Sequence, residues 1–407
     1  WKVEDIGRDN VSDRVYRSME YNTDDIAALK DIDPDANVNL RTVELSFDRS
    51  CNFSCSYCNP TYSTSWGKDI EKNGPYQKFK TLTAGAYQQD GSWADPENKY
   101  MDKNPYVDAF FRWWPTLSKD LQTLRITGGE PSTSPSFWKF LDRIRHEPVP
   151  HLNLSVNSNL GVKDSLIDRL IETTNVLELG SYDIYTSNES YGPHAEYLRD
   201  GMDYQVWRNN VVRMIEEANI RQLVVMMTVN GLSLMSITEF MDDMMVLKKK
   251  YGKNMPTMDL NFLRWPAFMS PLNLPDEVKV EAGKKIQEWL DKHRDLGFLL
   301  EHEITQIQRV IDYIDVVKQG HARAEEDKEK HFHDFKSFYV QYDQRRGKDF
   351  KKTFPMLAEW YDTLEVDDTI EDVKLTSGGM EGWEVGEYKP DILKKAKASA
   401  GSWTKIV

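Results

Sequence analysis

The sequence predicts an α/β protein, a partial (β/α)6 TIM-like barrel followed by a mostly helical C-terminal extension. Two patterns predict it. Short runs with strand-like alternation recur six times between residues 42 and 263, and amphipathic runs with helical spacing lie between most of them. Past Pro271 that alternation stops and helical patterns follow one another. Strands separated by helices pair in parallel through right-handed crossovers, and an open or partial barrel is their natural closure. In such folds the working side chains gather at the C-terminal strand ends.

Residues 1–40 are polar and acidic with weak periodicity and read as an N-terminal extension. The core spans 41–271. Its strands are Thr42–Phe47, Thr123–Thr127, Leu152–Asn157, Val176–Leu179, Leu223–Val229 and Met258–Leu263. Ser136–His146, Ser165–Thr173, Tyr204–Ala218 and Ile237–Tyr251 carry helical spacing between them. Residues 272–407 form the extension, with helices over Asp276–His293, Glu301–Gln319 and His331–Tyr342. An irregular, surface-wrapping tail follows from Leu364 to Val407, punctuated by Gly378-Gly379. The stretch 59–120 is long for a single crossover and rich in aromatics, including Trp66, Trp93, Trp113 and Trp114. Packing over one end of the barrel is preferred for it over gripping substrate.

Composition excludes several classes. A 407-residue chain with 40% hydrophobic and 29% charged residues has material for a large core and reads as globular and soluble. Its net charge of −14 argues against broad nucleic-acid binding, which needs a basic face for phosphates. No apolar run is long enough to cross a membrane, and the first thirty residues lack the apolar core of a signal peptide. A P-loop, a dinucleotide-binding fingerprint and a nucleophile elbow are likewise absent.

The informative residues are cysteines. There are three, all within Cys51-Asn-Phe-Ser-Cys55-Ser-Tyr-Cys58, the spacing C-x3-C-x2-C directly after the first strand. Buried structural cysteines would scatter across a core. A disulfide framework wants an even number, and structural zinc wants a fourth ligand nearby. Cubane iron–sulfur clusters take four thiolates, so three on one loop leave one iron open for chemistry. Thiolates kept free for iron point to a reducing, cytoplasmic setting.

The second strand runs into Thr127-Gly128-Gly129-Glu130-Pro131. Its glycines permit close backbone approach to a ligand, its glutamate offers an acceptor to an ammonium group, and its proline stiffens the exit. Together with the cysteine spacing one strand earlier, this turn closely resembles the radical S-adenosylmethionine superfamily, over roughly Val43 to Pro271.

The resemblance implies that Cys51, Cys55 and Cys58 hold a 4Fe–4S cluster whose fourth iron is chelated by S-adenosylmethionine. One-electron cleavage of the sulfonium would give a 5′-deoxyadenosyl radical that abstracts a substrate hydrogen. An electron donor of flavodoxin or ferredoxin type is implied as partner. Gly128, Gly129, Glu130 and Pro131 match the family turn without change, with Glu130 expected at the methionyl ammonium. Tyr57 stands where the family favours an aromatic near the adenine, and capping the cluster is the equal alternative.

Ser158 and Asn159 stand at the third strand end, where many members carry T-N-G, and either one would meet the ribose or carboxylate. Ser181 and Asp183 fit the S-x-D pattern of relatives, and Arg199, in an H-x-x-x-R-G-like stretch, would grip the carboxylate. The fifth and sixth strand ends, including Leu263, would border the adenine. Asp343–Gly347 and Phe354-Pro355 resemble the tails of twitch-type members, yet no cysteine is spare for an auxiliary cluster. The substrate reading is a peptide or protein side chain first and a small metabolite such as a sugar or nucleoside second. A non-catalytic cluster-binding module is the alternative of another class. His321, His331 and His333 read as structural, and Lys248–Lys250 as cations closing a helix.

Overall fold

In the computed structural model of the chain, the residues described are 31–33, 35, 36, 38–81, 84–88, 104–315, 325–367 and 369. Trp1–Arg41 and Thr42–Val407 are separate units. The second begins with β1 (Thr42–Ser46), followed by the two-residue β2 (Ser54–Cys55), α1 (Thr64–Asn73), the single turn α2 (Gly85–Gln88) and α3 (Pro105–Leu117). The repeating part follows: β3 (Thr123–Thr127), α4 (Pro135–His146), β4 (Val149–Asn157), α5 (Asp164–Val176) and β5 (Leu179–Ser187). A short excursion, α6 (Pro193–Leu198) and β6 (Arg199–Asp200), precedes α7 (Tyr204–Glu217), β7 (Gln222–Val229), α8 (Ile237–Tyr251) and β8 (Thr257–Phe262). The chain continues with α9 (Asp276–His293), α10 (Glu301–Ile314), α11 (Glu325–Arg346), α12 (Phe350–Thr353) and α13 (Ala358–Thr363).

Six strands form one parallel sheet in the order β1-β3-β4-β5-β7-β8. The expected alternation therefore holds, and the sheet stays open with β1 and β8 as its edges. Period-two patterning gives the sheet two unlike faces. Leu124, Ile126, Leu154, Val156, Ile184, Leu223, Val225, Met227, Met258 and Leu260 are buried against the helices. The register places Glu44, Arg125, Ser155 and Asp183 side by side on the other face, with Asn157 and Tyr185 one step further along. Arg125 anchors that polar face, donating to Asn157 at 3.2 Å and lying 4.8 Å from the Tyr185 ring centre.

The fourth strand is displaced from its expected position. Val176 closes α5, whose spacing buries Ile167, Leu170, Ile171 and Thr174. The strand instead runs Leu179–Ser187. Its polar-face residues Ser181, Asp183, Tyr185 and Ser187 hid it, because a strand lining a polar cup lacks the apolar content that marks one in sequence. The helix expected over Glu301–Gln319 is described to Ile314, and the one expected over His331–Tyr342 is the middle of α11. Most of the tail beyond Leu364, with Trp93 and His321, lies outside the described residues.

The extension is not a separate layer past Pro271. Ile286, Trp289 and Leu290 of α9 and Ile307 and Val310 of α10 belong to the same apolar cluster as the sheet. Lys248–Lys250 stand in the last turn of α8 as expected, and Lys248 does more than close the helix. It is fully buried and pairs with Glu303 of α10 at 2.8 Å, while Glu303 also accepts the Met258 and Leu300 amides. His333 is structural as expected, contacting Asp334 and accepting the Asp367 amide. Among the described residues no helix is long and apolar enough to cross a membrane.

Removing one member of a buried ion pair strands the other charge. Lys248→Ala is expected to destabilise the fold by about 3–5 kcal/mol, read as a lowered thermal midpoint. Lys250→Ala, which breaks an exposed pair with Glu216 and a contact with the Tyr251 ring, should leave the midpoint nearly unchanged.

Candidate active site

The cysteine run emerges from β1 and lies against the turn that leaves β3. At the two glycines the turn approaches protein backbone closely. Gly128 has φ +128°, and a Cβ there would stand 2.7 Å from the Asp48 carbonyl. A Cβ on Gly129 would stand 2.6 Å from the Arg49 carbonyl and strike that of Ser50 as well. The Glu130 amide then donates to Ser50 at 2.5 Å. Only glycine lets the β3 turn sit this tightly on the segment that launches Cys51.

Glu130 is buried, and its carboxylate is already engaged. It accepts the Ser132 amide at 3.1 Å, the Ser132 hydroxyl at 2.6 Å, the Ser158 hydroxyl at 2.9 Å and the Asn159 amide at 2.6 Å. Burial raises its pKa and these donors oppose the rise. These bonds tie the end of β3 to the end of β4, three of them on one carboxylate oxygen and one on the other. Asn159 carries the tie onward, donating to Asn52 at 2.8 Å inside the cysteine run. Pro131 opens a short 3-10 turn capped by Glu130.

The far half of the run is held from other directions. Ser54–Cys55 pairs antiparallel with Arg199–Asp200. Arg199 is not on an exposed helix. It is buried, bound to Glu189 at 2.5 Å, 3.9 Å from the Cys55 sulfur and 5.4 Å from the Tyr57 ring centre. The Tyr57 hydroxyl donates to the same Glu189 at 2.7 Å. Three aromatics outside the sheet donate to successive carbonyls of the run: Tyr342 to Ser54 at 3.4 Å, Trp66 to Cys55 at 2.9 Å and Tyr87 to Ser56 at 2.9 Å. The aromatic stretch after Cys58 thus packs structurally, as expected, with Trp66 and Trp114 buried and Trp113 partly exposed.

The structure brings Cys51, Cys55, Cys58, Tyr57, Gly128–Pro131, Ser158, Asn159 and Arg199 into one connected region at the C-terminal strand ends. Leu263 follows β8 at that end, its amide bound to Val229 at 2.8 Å, in an aromatic cluster that Tyr57 and Cys58 adjoin. Ser181 and Asp183 are not brought there. Ser181 is level with Asn153 and donates to it, and Asp183 is level with Gln222, the first residue of β7, and pairs with Arg221 at 2.5 Å. The strand ends six residues later in Ser187-Asn188-Glu189, which repeats the serine-x-acid spacing. Glu189, Asn52, Tyr87 and Tyr342 join the site without having been expected there; for Glu189 the repeated spacing is the available signal.

The donor set suits an iron–sulfur cluster. The thiols of one loop are close enough for their charges to oppose one another, and the Phe53 amide points at the Cys51 sulfur at 3.4 Å. Burial first, then the Cys55 charge, pushes the Cys51 thiol up to about 12, and Cys58 rises for the same reasons. Among the described residues no three His, Cys, Asp or Glu side chains gather as a cage for a single ion. A cubane asks for a different arrangement, one thiolate on each of three irons. A cavity of about 380 Å3 opens beside the turn, lined by Ser46, Asp48, Tyr62, Asn104, Thr127 and Gly128 among others.

The chain is similar to the solved structure of native anSMEcpe with bound AdoMet, at 11% identity and TM-score 0.38, covering 64% of this chain and 62% of that one. It is similar to Streptococcus suis SuiB bound to S-adenosylmethionine, at 12% identity and TM-score 0.41, covering 71% and 56%. It is also similar to TYW1 with a lysine–pyruvate adduct bound, at 12% identity and TM-score 0.30, covering 68% and 90%. The matches span less than two thirds of the first two proteins. No protein-family profile matches the chain, and no curated protein matches it by sequence. Likenesses this distant carry no ligand or activity across.

Glu130→Gln replaces an acceptor of four hydrogen bonds with a group that must turn its NH2 toward a donor. It is expected to cost about 1–3 kcal/mol, seen in the thermal midpoint of the metal-free protein. Raised thiols must lose protons before they ligate metal. Iron loading, followed by its visible absorbance, should therefore speed up from pH 7 to pH 9, by about tenfold per unit for one proton lost in the slow step.

Proposed function

We propose that the chain is a radical S-adenosylmethionine enzyme. The observation that carries this reading is the union of two motifs: the Gly128–Pro131 turn closes directly on the backbone that launches Cys51, Cys55 and Cys58. Cys51, Cys55 and Cys58 would hold a 4Fe–4S cluster and leave one iron for S-adenosylmethionine. When bound, the cluster supplies the electron that cleaves the sulfonium and yields a 5′-deoxyadenosyl radical.

The residues around it position and exclude. With the Glu130 carboxylate engaged, backbone carbonyls of the β3 turn are the better acceptors for a methionyl ammonium, since a cationic amine needs only an oxygen dipole there. Arg199, neutralised by Glu189, holds Cys55 and Tyr57 in place. The methionyl carboxylate would instead meet the Ser187-Asn188 end of β5. The polar sheet face below offers a surface on which substrate is oriented, and the packed aromatics behind Cys55 and Cys58 keep water from that side.

An open sheet favours a peptide or protein side chain laid across its polar face. A small metabolite such as a sugar or nucleoside is the second reading, favoured by the polar groups of that face. A reducing, cytoplasmic setting and an external electron donor belong to the same proposal.

Anaerobic reconstitution should load about four irons per chain, and chemical reduction with S-adenosylmethionine should release 5′-deoxyadenosine. Cys55→Ala should remove both. Binding of fewer than about two irons by the unaltered protein would reject the reading. Arg199→Met should leave S-adenosylmethionine affinity within about threefold while weakening iron retention, because its charge faces Glu189 and Cys55 and not the ligand.

A further inference from the structure

A large cavity lies outside the barrel. It is a groove of about 960 Å3 between α4 and α5, and its wall includes Asn52, the residue that follows Cys51. Trp138 forms its buried floor, with the Arg169 guanidinium stacked 4.1 Å from the ring centre. Its charged lining is Lys139, Lys163 and Arg169 against Asp142 alone. A second cavity continues it along the same helices and adds one charge of each sign, Arg145 and Glu172. The groove is therefore basic on a chain whose net charge is −14.

Its position matters as much as its charge. The Cys55–Cys58 side of the run is backed by Trp66, Tyr87 and Tyr342, and the inner side faces the sheet cup. Asn52 joins the cysteine run to the groove through paired hydrogen bonds, accepting from Asn159 and donating to the Gly161 carbonyl at 2.8 Å. The groove thus brings the outer surface within one residue of a cysteine ligand.

We propose that this groove docks a small acidic one-electron carrier protein, which gives up one electron to the cysteine-held group and exchanges no atoms with it. The proposal rests on the functional reading above. Lysine and arginine around an aromatic floor supply steering by charge and a desolvated contact at the centre. On a chain this acidic, a local basic groove selects a net anionic partner.

The test uses the reconstituted full chain and a purified oxidised flavodoxin as the probe, with binding measured by calorimetry. Wild type should bind, and raising salt from 50 to 500 mM (about 14 to 4 Å of screening length) should weaken binding at least tenfold. The triple variant Lys139→Glu, Lys163→Glu, Arg169→Glu should lose at least tenfold in affinity. It should also lose at least tenfold in 5′-deoxyadenosine formation driven by reduced flavodoxin, while dithionite-driven formation stays within twofold of wild type. Unchanged flavodoxin affinity in the triple variant, or an equal loss with dithionite, overturns the docking proposal and leaves the functional reading standing. Absence of 5′-deoxyadenosine from wild type with dithionite overturns the functional reading, and the docking role with it.

Discussion

The site depends on a buried carboxylate. Glu130 has almost no exposed surface, and burying a charge costs several kcal/mol unless hydrogen bonds replace its water. Here four donors do so, drawn from the turn after β3 and the end of β4. Charge-assisted bonds of this kind are the strong ones. The consequence is geometric: two strand ends are locked together, and the Glu130 amide locks the segment before Cys51 to both. If the carboxylate lost its partners, the loop carrying the cysteines would have no fixed floor.

The same loop is gripped from its other side by a different chemistry. Trp66, Tyr87 and Tyr342 bring large apolar bodies and one polar tip each, and each tip lands on a carbonyl of the cysteine run. Aromatic residues with polar ends suit this use, because the ring packs in a core while the hydroxyl or indole N–H satisfies an exposed peptide oxygen. Arg346 extends the grip, lying 4.5 Å from the Trp66 ring centre and 4.3 Å from that of Tyr342. The segments after Cys58 and in α11 therefore serve one purpose despite lying some 270 residues apart in sequence.

Much of this was legible in the chain. Five of the six sheet strands stood close to where alternation put them, because their outward faces are uniformly apolar. The fifth strand in chain order of the described fold, Leu179–Ser187 of the sheet, escaped because half of its residues line a polar cup. That one displacement moved Ser181 and Asp183 to the wrong end of the sheet and concealed Glu189. Lys248 escaped for a related reason: a lysine at a helix end looks solvated until its partner, 55 residues away, is placed beside it.

By itself the sequence determined what is local. Ligand spacing in the cysteine run, the glycine turn and the strand-helix rhythm all depend on neighbours within a few residues, so residue order alone specifies them. Tertiary structure decided who spends which charge on whom. Glu130 and Arg199 both look like free ligands in sequence, yet folding gives one to Ser158 and Asn159 and the other to Glu189. A buried charge must be compensated where it lies, and its partner is set by packing, which no local pattern records.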